Sequence, residues 1–147
     1  MAMTMLDKKP VHTMHAPWPA EIAAEFEREG KAHNGCVGQR LLSENARVRV
    51  WEIRLKPGER FGFHRHVLDY FWSALNAGRA RAHLEDGSTV EHTYFAGETR
   101  HETHAHGHSK VHDLENTGDT ELIFSTVEFL ESANRPLPVP DSVRVRG

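Results

Sequence analysis

Short segments with β-strand patterning, separated by turns that contain glycine, fill most of the chain between residues 35 and 130. In the clearest example, which begins at Ala80, small apolar residues alternate with charged ones up to Asp86-Gly87, and a second strand then runs to Phe95. An Asp-Gly pair between two such segments is a strong signal for a β-hairpin. Many short strands with turns of this kind, and one flanking helix, predict an all-β sandwich or barrel.

The chain has 147 residues, which is enough for one domain with its own hydrophobic core. We predict an irregular N-terminal arm (residues 1–16) and a short helix within residues 1–34, then a single barrel domain over 35–147 with an extended, proline-rich C-terminal tail. A formal net charge of −3 argues against binding to nucleic acid or to a membrane surface. One cysteine, no recognisable signal peptide and no long apolar run predict a cytoplasmic protein.

The N-terminal helix is predicted from an apolar stripe. Trp18, Ile22 and Phe26 recur at four-residue spacing, Pro19 suits the first helical position, and Gly30 is placed to end the helix. The stripe is expected to pack against the outside of the barrel or against a neighbouring subunit. Together with the exposed sheet edges of a small β-domain, it predicts a homodimer.

Histidine is unusually frequent: the chain has 12, and most of them lie between His64 and His112. His64 and His66 are separated by one residue in a predicted strand, so their side chains share one face. Histidine is the commonest metal ligand in proteins, and a sheet can present two imidazoles to one ion in this way. A third ligand from a later strand, His112, would complete the set. The pattern therefore predicts a divalent-metal site.

The residues around these histidines resemble the two sequence motifs of the cupin superfamily. The matching positions are Gly58, His64, His66 and Gly78 for the first motif, and Gly97, His112 and Asn116 for the second. The resemblance implies a jelly-roll β-barrel in which His64, His66 and His112 hold one divalent metal ion. Small barrels of this type can bind one small ligand in their mouth.

The first motif departs from the family at the position of a usual fourth ligand, a glutamate. Tyr70 and Phe71 stand there, with Asp69 one place earlier. The resemblance then implies a three-histidine site, unless Asp69 or an ionised Tyr70 reaches the ion. Such a site is similar to the iron-dependent cupin dioxygenases that lack the glutamate. Tyr70 is the candidate catalytic residue, because a hydroxyl beside the metal could hydrogen-bond a substrate.

The second motif departs by an insertion ahead of His112. The inserted stretch contains His104, His106 and His108, which alternate as they would on one strand face. One of them could replace or join His112 as a ligand. Alternatively, the stretch is a solvent-exposed loop. The sequence after His112 continues the family pattern and favours His112.

The sequence predicts surface positions for the other histidines and leaves the direction of two charged side chains open. The remaining histidines outside the motifs and the insertion are predicted to lie on the surface; they are His12, His15, His33, His83 and His92. Glu128 alternates onto the face of Leu122 and Phe124, so it projects into the cavity or lies at a water-exposed edge. The direction of Arg49 stays open, because the apolar face of its strand switches after Val50 and so indicates a bulge or a twist.

These observations favour a metal-dependent enzyme that acts on a small organic oxyacid or a diketone-like molecule. Iron(II) dioxygenase is the preferred reading; manganese, nickel, copper and zinc also accept imidazole ligands. A metal-dependent lyase or isomerase and a non-enzymatic protein that binds a small ligand are the alternatives, since a fold does not determine a function. Metal handling by the stretch from His101 to His108 is a third possibility.

Overall fold

The computed structural model describes residues 11–145, which contain ten β-strands, one α-helix and one short 3-10 helix. The strands are β1 (Val11–Met14), β2 (Arg40–Glu44), β3 (Val48–Leu55), β4 (Arg60–His66), β5 (Tyr70–Ala74), β6 (Gly78–His83), β7 (Thr89–Tyr94), β8 (Thr99–Glu102), β9 (Lys110–Asn116) and β10 (Leu122–Phe129). Helix α1 spans Ala20–Ala32, and the 3-10 helix spans Asp141–Val143. Within this part of the chain, no helix has the length and apolar character that a membrane crossing requires.

The strands form two five-stranded sheets with antiparallel neighbours. The first sheet has the order β1-β7-β6-β9-β4 and the second the order β2-β3-β10-β5-β8. Consecutive strands such as β4 and β5, or β9 and β10, lie in different sheets, so the chain passes repeatedly from one sheet to the other. This arrangement confirms the predicted all-β jelly-roll fold with one N-terminal helix.

The interior of the barrel changes from apolar to polar along its length. On β10 the inward positions run from Leu122 and Phe124 to Thr126 and Glu128, all of them buried. Leu122 lies opposite the buried Leu55 of β3, and this end of the barrel belongs to the main hydrophobic core. Burying a leucine contributes about 2 kcal/mol to folding. The apolar end therefore supplies stability, and the opposite end is left for polar groups.

Helix α1 packs on the outside of the first sheet, which is one of the two predicted alternatives. The rings of Trp18 and Phe26 contact Phe63 of β4, with centroids 5.8 and 5.3 Å away. The prediction that the helix ends at Gly30 is wrong, because the helix continues to Ala32 and His33 takes the left-handed conformation (φ 50°). Side-chain and backbone oxygens of the last turn hold this end of the helix in place.

In two segments the local sequence pattern alone did not give the secondary structure. Val11–Met14, expected within an irregular arm, forms an edge strand that pairs with β7; residues 1–10 of that predicted arm lie outside the described residues. For His104, His106 and His108 the structure has the loop, one of the two alternatives left open by the sequence, because β8 ends at Glu102 and β9 begins only at Lys110. Asn134 holds this loop, since its side chain accepts a hydrogen bond from Gly107 N and donates to Ala105 O.

A buried polar network joins α1 to three strands of the first sheet. Asp113 of β9, which is 0% exposed, accepts hydrogen bonds from Arg60 Nε (2.7 Å) and His83 Nδ1 (2.8 Å). The guanidinium of Arg60 also donates two hydrogen bonds to the carboxylate of Glu25 on the helix, at 3.0 and 2.9 Å. The surface position predicted for His83 is therefore wrong, because its ring is buried beneath the helix as a partner of Asp113.

Candidate metal centre

The structure brings His64, His66 and His112 together inside the barrel. His64 and His66 lie on β4, and His112 lies directly opposite His64 in the pairing of β4 with β9. One ring nitrogen from each histidine lies within 4.8 Å of the other two. This is the only such group of three or more histidine, cysteine or acidic side chains between residues 11 and 145. The two strands thus place three nitrogen ligands at one point.

A bulge in β4 orients the first of these histidines. The register with β9 shifts between Phe61 and His64, so Gly62 and Phe63 lie opposite a single residue. As a result, Phe61 and His64 both face inward, and their rings stack with centroids 4.7 Å apart. His64 Nδ1 donates a hydrogen bond to Gly62 O (2.9 Å), which leaves Nε2 free to act as a ligand.

Burial keeps the three imidazoles in the neutral form that binds metals. It lowers the pKa of His64 to about 4, although the hydrogen bond to the Gly62 carbonyl partly opposes this shift. Burial also lowers the pKa of His66 and of His112 well below the usual value, and the neighbouring His64 reinforces both shifts. At neutral pH all three side chains are therefore uncharged.

The donor set fits one divalent metal ion. His66 Nε2 and His112 Nε2 lie 3.1 Å apart. Two nitrogens that bind one ion at right angles, each at about 2.1 Å, lie about 3 Å apart. His66 Nδ1 is buried without a hydrogen-bond partner, and the ring is held by stacking on Tyr70. The cluster has no carboxylate, so the ion would keep its full positive charge.

Asp69 does not belong to the histidine cluster. Its side chain instead accepts a hydrogen bond from His104 N at 3.0 Å, and its backbone N–H donates to Ser132 Oγ. Asp69 therefore anchors the loop that follows β8. Nothing in this arrangement supports the alternative in which Asp69 supplies a fourth ligand.

Tyr70 lies against the cluster as a neutral phenol. Its ring stacks on that of His66 with a centroid distance of 4.1 Å and an angle of 15° between the planes. Burial raises the pKa of Tyr70 above its ordinary value. A neutral phenol is a hydrogen-bond donor and a poor metal ligand. Phe71, the next residue, lies on the opposite face of β5, where its ring contacts Phe129.

The three histidines of the insertion lie outside the metal cluster. His106 and His108 are exposed, and His106 Nδ1 donates a hydrogen bond to Ala133 O at 3.2 Å. His104 lies closer to the site, because its ring stacks on Tyr70 at 6.0 Å and its Nε2 is buried without a partner. The structure therefore gathers His112, and none of these three, with His64 and His66.

A small cavity of about 60 Å³ adjoins the three histidines. Aromatic and aliphatic side chains from both sheets form most of its wall, and Thr126 adds a hydroxyl. Tyr94, which the sequence analysis did not single out, belongs to this wall, and its ring packs edge-on against Trp72 at 5.4 Å. The inward alternation of β7 was the available signal for Tyr94. The wall of this cavity is therefore mostly apolar.

Glu128 and Arg49, both undecided from the sequence, face into the polar end of the barrel. They lie opposite each other on β10 and β3, and both are buried. Glu128 Oε1 accepts a hydrogen bond from Trp51 Nε1 at 2.7 Å. The bulge expected in this region lies in the neighbouring β2, between Leu41 and Ser43. Burial raises the pKa of Glu128 to about 7, although the Trp51 hydrogen bond acts against this shift.

Glu128→Gln should make the protein more stable at pH 8 than the wild type. Between the ordinary carboxyl pKa of 4.5 and about 7, the folded state binds more protons at Glu128 than the unfolded state, so stability falls as pH rises. Glutamine keeps an oxygen for Trp51 and does not ionise. We expect its advantage to grow by roughly 2–3 kcal/mol between pH 5 and pH 8 in urea denaturation.

Glu121→Gln, at an exposed position just before the same strand, is the matched control for the pH effect. Its stability relative to the wild type should not increase between pH 5 and pH 8. The two variants remove one carboxylate each, so they change the net charge equally. An advantage of Glu128→Gln that is the same at both pH values would contradict the prediction.

Comparison with known proteins identifies the fold. No protein-family model matches the chain, and no curated protein is significantly similar to it. A cupin domain from Bordetella pertussis Tohama I is 29% identical, with a TM-score of 0.53 over 59% of this chain and 85% of that chain. A protein from Bacillus halodurans is 20% identical, with a TM-score of 0.51 over 88% of this chain and 89% of that chain.

An RmlC-like cupin family protein with a double-stranded β-helix fold, from Methanocaldococcus jannaschii, is 20% identical, with a TM-score of 0.50 over 61% of this chain and 76% of that chain. The last two similarities show the fold alone. The cupin domain from Bordetella pertussis is more similar in sequence to this chain than the other two proteins are. The jelly-roll topology, the converging motif histidines and this similarity agree: the chain is a small member of the cupin superfamily.

Proposed function

We propose that this protein is a metal-dependent enzyme that acts on a small organic molecule, and that its reaction is an iron(II)-dependent dioxygenation of an oxyacid or a diketone-like substrate. The observation that carries the proposal is the convergence of His64, His66 and His112 without a carboxylate. Three neutral ligands leave a divalent ion open positions for substrate and oxygen. When bound, iron(II) would act as a Lewis acid and as the source of electrons for O₂.

The protein's own residues would position the substrate and protect it from water. Tyr70, a neutral phenol beside His66, can donate a hydrogen bond to a substrate oxygen. Trp72, Tyr94 and Phe124 pack edge-on against one another and close the wall of the cavity. A dry site strengthens each of these polar interactions with the substrate. The volume of this cavity, about 60 Å³, favours a small substrate.

Oxygen consumption tests the proposed reaction. Protein produced without added metal and then loaded with iron(II) should take up O₂ in the presence of acetylacetone or of a 2-hydroxy acid, in proportion to the substrate that is consumed. At a free-metal concentration near the wild-type dissociation constant, His64→Ala should hold much less metal than the wild type, because one of the three ligands is missing. Elemental analysis measures the metal, and an oxygen electrode measures the reaction.

The exposed His101→Ala is the control and should retain both the metal and the oxygen uptake. Turnover without O₂ uptake would replace the dioxygenase with a lyase or an isomerase. Stoichiometric substrate binding without turnover would indicate a binding protein. Wild-type protein that holds no stoichiometric metal, or a metal content that His64→Ala leaves unchanged, would refute the metal site itself.

A further inference from the structure

A second cavity, of about 190 Å³, adjoins the metal centre and shares part of its wall. Trp72, Tyr94, His112 and Leu114 line both this cavity and the smaller one. The second cavity also contains ionisable groups, which the first lacks apart from its histidines and tyrosines; they are His92, Arg100, Glu102 and Lys110. A ligand that reaches the three histidines from this side therefore passes charged side chains.

Lys110 faces the inside of the barrel beside the histidines. On β9 it alternates with His112 and Leu114, both of which line the cavity, and it lies directly opposite His66 in the register with β4. Its side chain is 31% exposed, so the ammonium group is reachable from the cavity. Packing does not require a lysine at an inward position next to a metal centre.

The ammonium group of Lys110 is only loosely held. Its ionic partner is Glu102 Oε1 at 3.6 Å, and among residues 11–145 it donates no hydrogen bond to a side chain. Arg100 differs, because its guanidinium is held at 3.1 Å by the buried Glu98, which also binds His92 at 2.9 Å. Lys110 is therefore the cation of this cavity that no carboxylate holds within hydrogen-bond distance.

We propose that Lys110 binds the carboxylate of an anionic substrate, so that the site takes small 2-oxo or 2-hydroxy carboxylates in preference to neutral diketones. This inference rests on the proposed function and selects one of its two substrate classes. Because Lys110 lies opposite His66 and two residues from His112, a carboxylate at its ammonium places the adjacent substrate oxygen toward the histidine nitrogens. The histidine cluster contributes no negative charge that would repel such an anion.

Isothermal titration of the zinc-loaded protein tests the assignment, because zinc is redox-inert and allows binding to be measured without turnover. The probes are pyruvate and its uncharged analogue methyl pyruvate, at constant ionic strength. We expect Lys110→Met to bind pyruvate at least about tenfold more weakly than the wild type, because a charge-assisted hydrogen bond is lost. Methyl pyruvate should bind both proteins equally. Lys110→Arg should recover most of the pyruvate affinity.

Lys56→Met, which removes the same charge from an exposed turn, should bind pyruvate as the wild type does. The zinc content of every variant is measured in parallel. Wild-type protein with one equivalent of zinc that binds no pyruvate, or that binds it no better than Lys110→Met does, overturns the role of Lys110 and leaves the metal centre standing. If the wild-type protein binds no zinc, the proposed function is refuted, and this inference is refuted with it.

Discussion

Replacing Asp113 with alanine should lower the free energy of unfolding by about 3–5 kcal/mol, because it leaves both donors of the buried His83 and one donor of Arg60 without their acceptor. Asp113 is fully buried and accepts hydrogen bonds from Arg60 Nε, from His83 Nδ1 and from the backbone N–H of His83. Glu25 remains as a partner for Arg60, but neither donor of His83 has another acceptor in this network. Urea denaturation of metal-free protein measures the loss.

Two further variants separate the contributions to this loss. Asp113→Asn keeps the volume of the side chain, so it creates no cavity, and we still expect a loss of at least about 2 kcal/mol from the changed hydrogen bonding. Glu115→Ala removes a carboxylate two residues further along β9, where the ion pair with Arg81 is exposed and 3.7 Å long; it should change stability by less than about 0.5 kcal/mol. Equal effects of Asp113→Ala and Glu115→Ala would contradict the role of the network.

The strand pattern and the histidine group follow from simple alternation. Along β4, β9 and β10 the side chains alternate between the two faces, so the relation between His64 and His66 could be predicted from the sequence alone. The position of His112 opposite His64 depends on the register of two strands that are far apart in the chain. The resemblance to the cupin motifs supplied that long-range information, which the alternation within one strand does not contain.

Side chains that break the alternation could not be placed from the sequence. Phe61 and His64 face inward although three positions separate them, because the bulge at Gly62 inserts an extra residue. Arg49 and Glu128 stayed undecided because charged side chains are usually exposed. Each is in fact buried with a specific partner: Glu44 binds Arg49 at 2.7 Å, and Trp51 binds Glu128. A charged residue at an inward position becomes interpretable only when its partner is known, and these partners lie on other strands or far along the chain.

The N-terminal strand and the loop before β9 show the same limitation. Val11–Met14 has no strong strand pattern and becomes a strand because β7 offers an unpaired edge. His104, His106 and His108 have perfect strand spacing, but Asn134 and Asp69 hold this segment as a loop through hydrogen bonds to its backbone. In both places tertiary contacts outweigh the local pattern, and local patterns were all that the sequence offered there.

Zinc should raise the stability of the metal-free protein by about 4 kcal/mol when the free ion is in a thousandfold excess over its dissociation constant, which corresponds to a rise in Tm of roughly 10 °C or more. A ligand that binds only the folded state stabilises it by mass action, and the three histidines converge only when β4 and β9 are paired. His112→Ala should lose most of this rise, because two imidazoles of one strand bind an ion far more weakly than three ligands do. Thermal unfolding with and without zinc measures the effect.

His108→Ala is the matched control, because it removes one imidazole from the exposed loop and leaves the cluster intact. It should retain the full zinc-induced rise in Tm, whereas a loss equal to that of His112→Ala would mean that the loop supplies a ligand and that His112 alone does not complete the site. A rise that survives in both single variants but disappears in the double variant would show that either histidine can serve as the third ligand. The geometry favours His112, because its strand is already paired with β4. A ligand from the exposed loop would instead cost conformational entropy when the metal orders it.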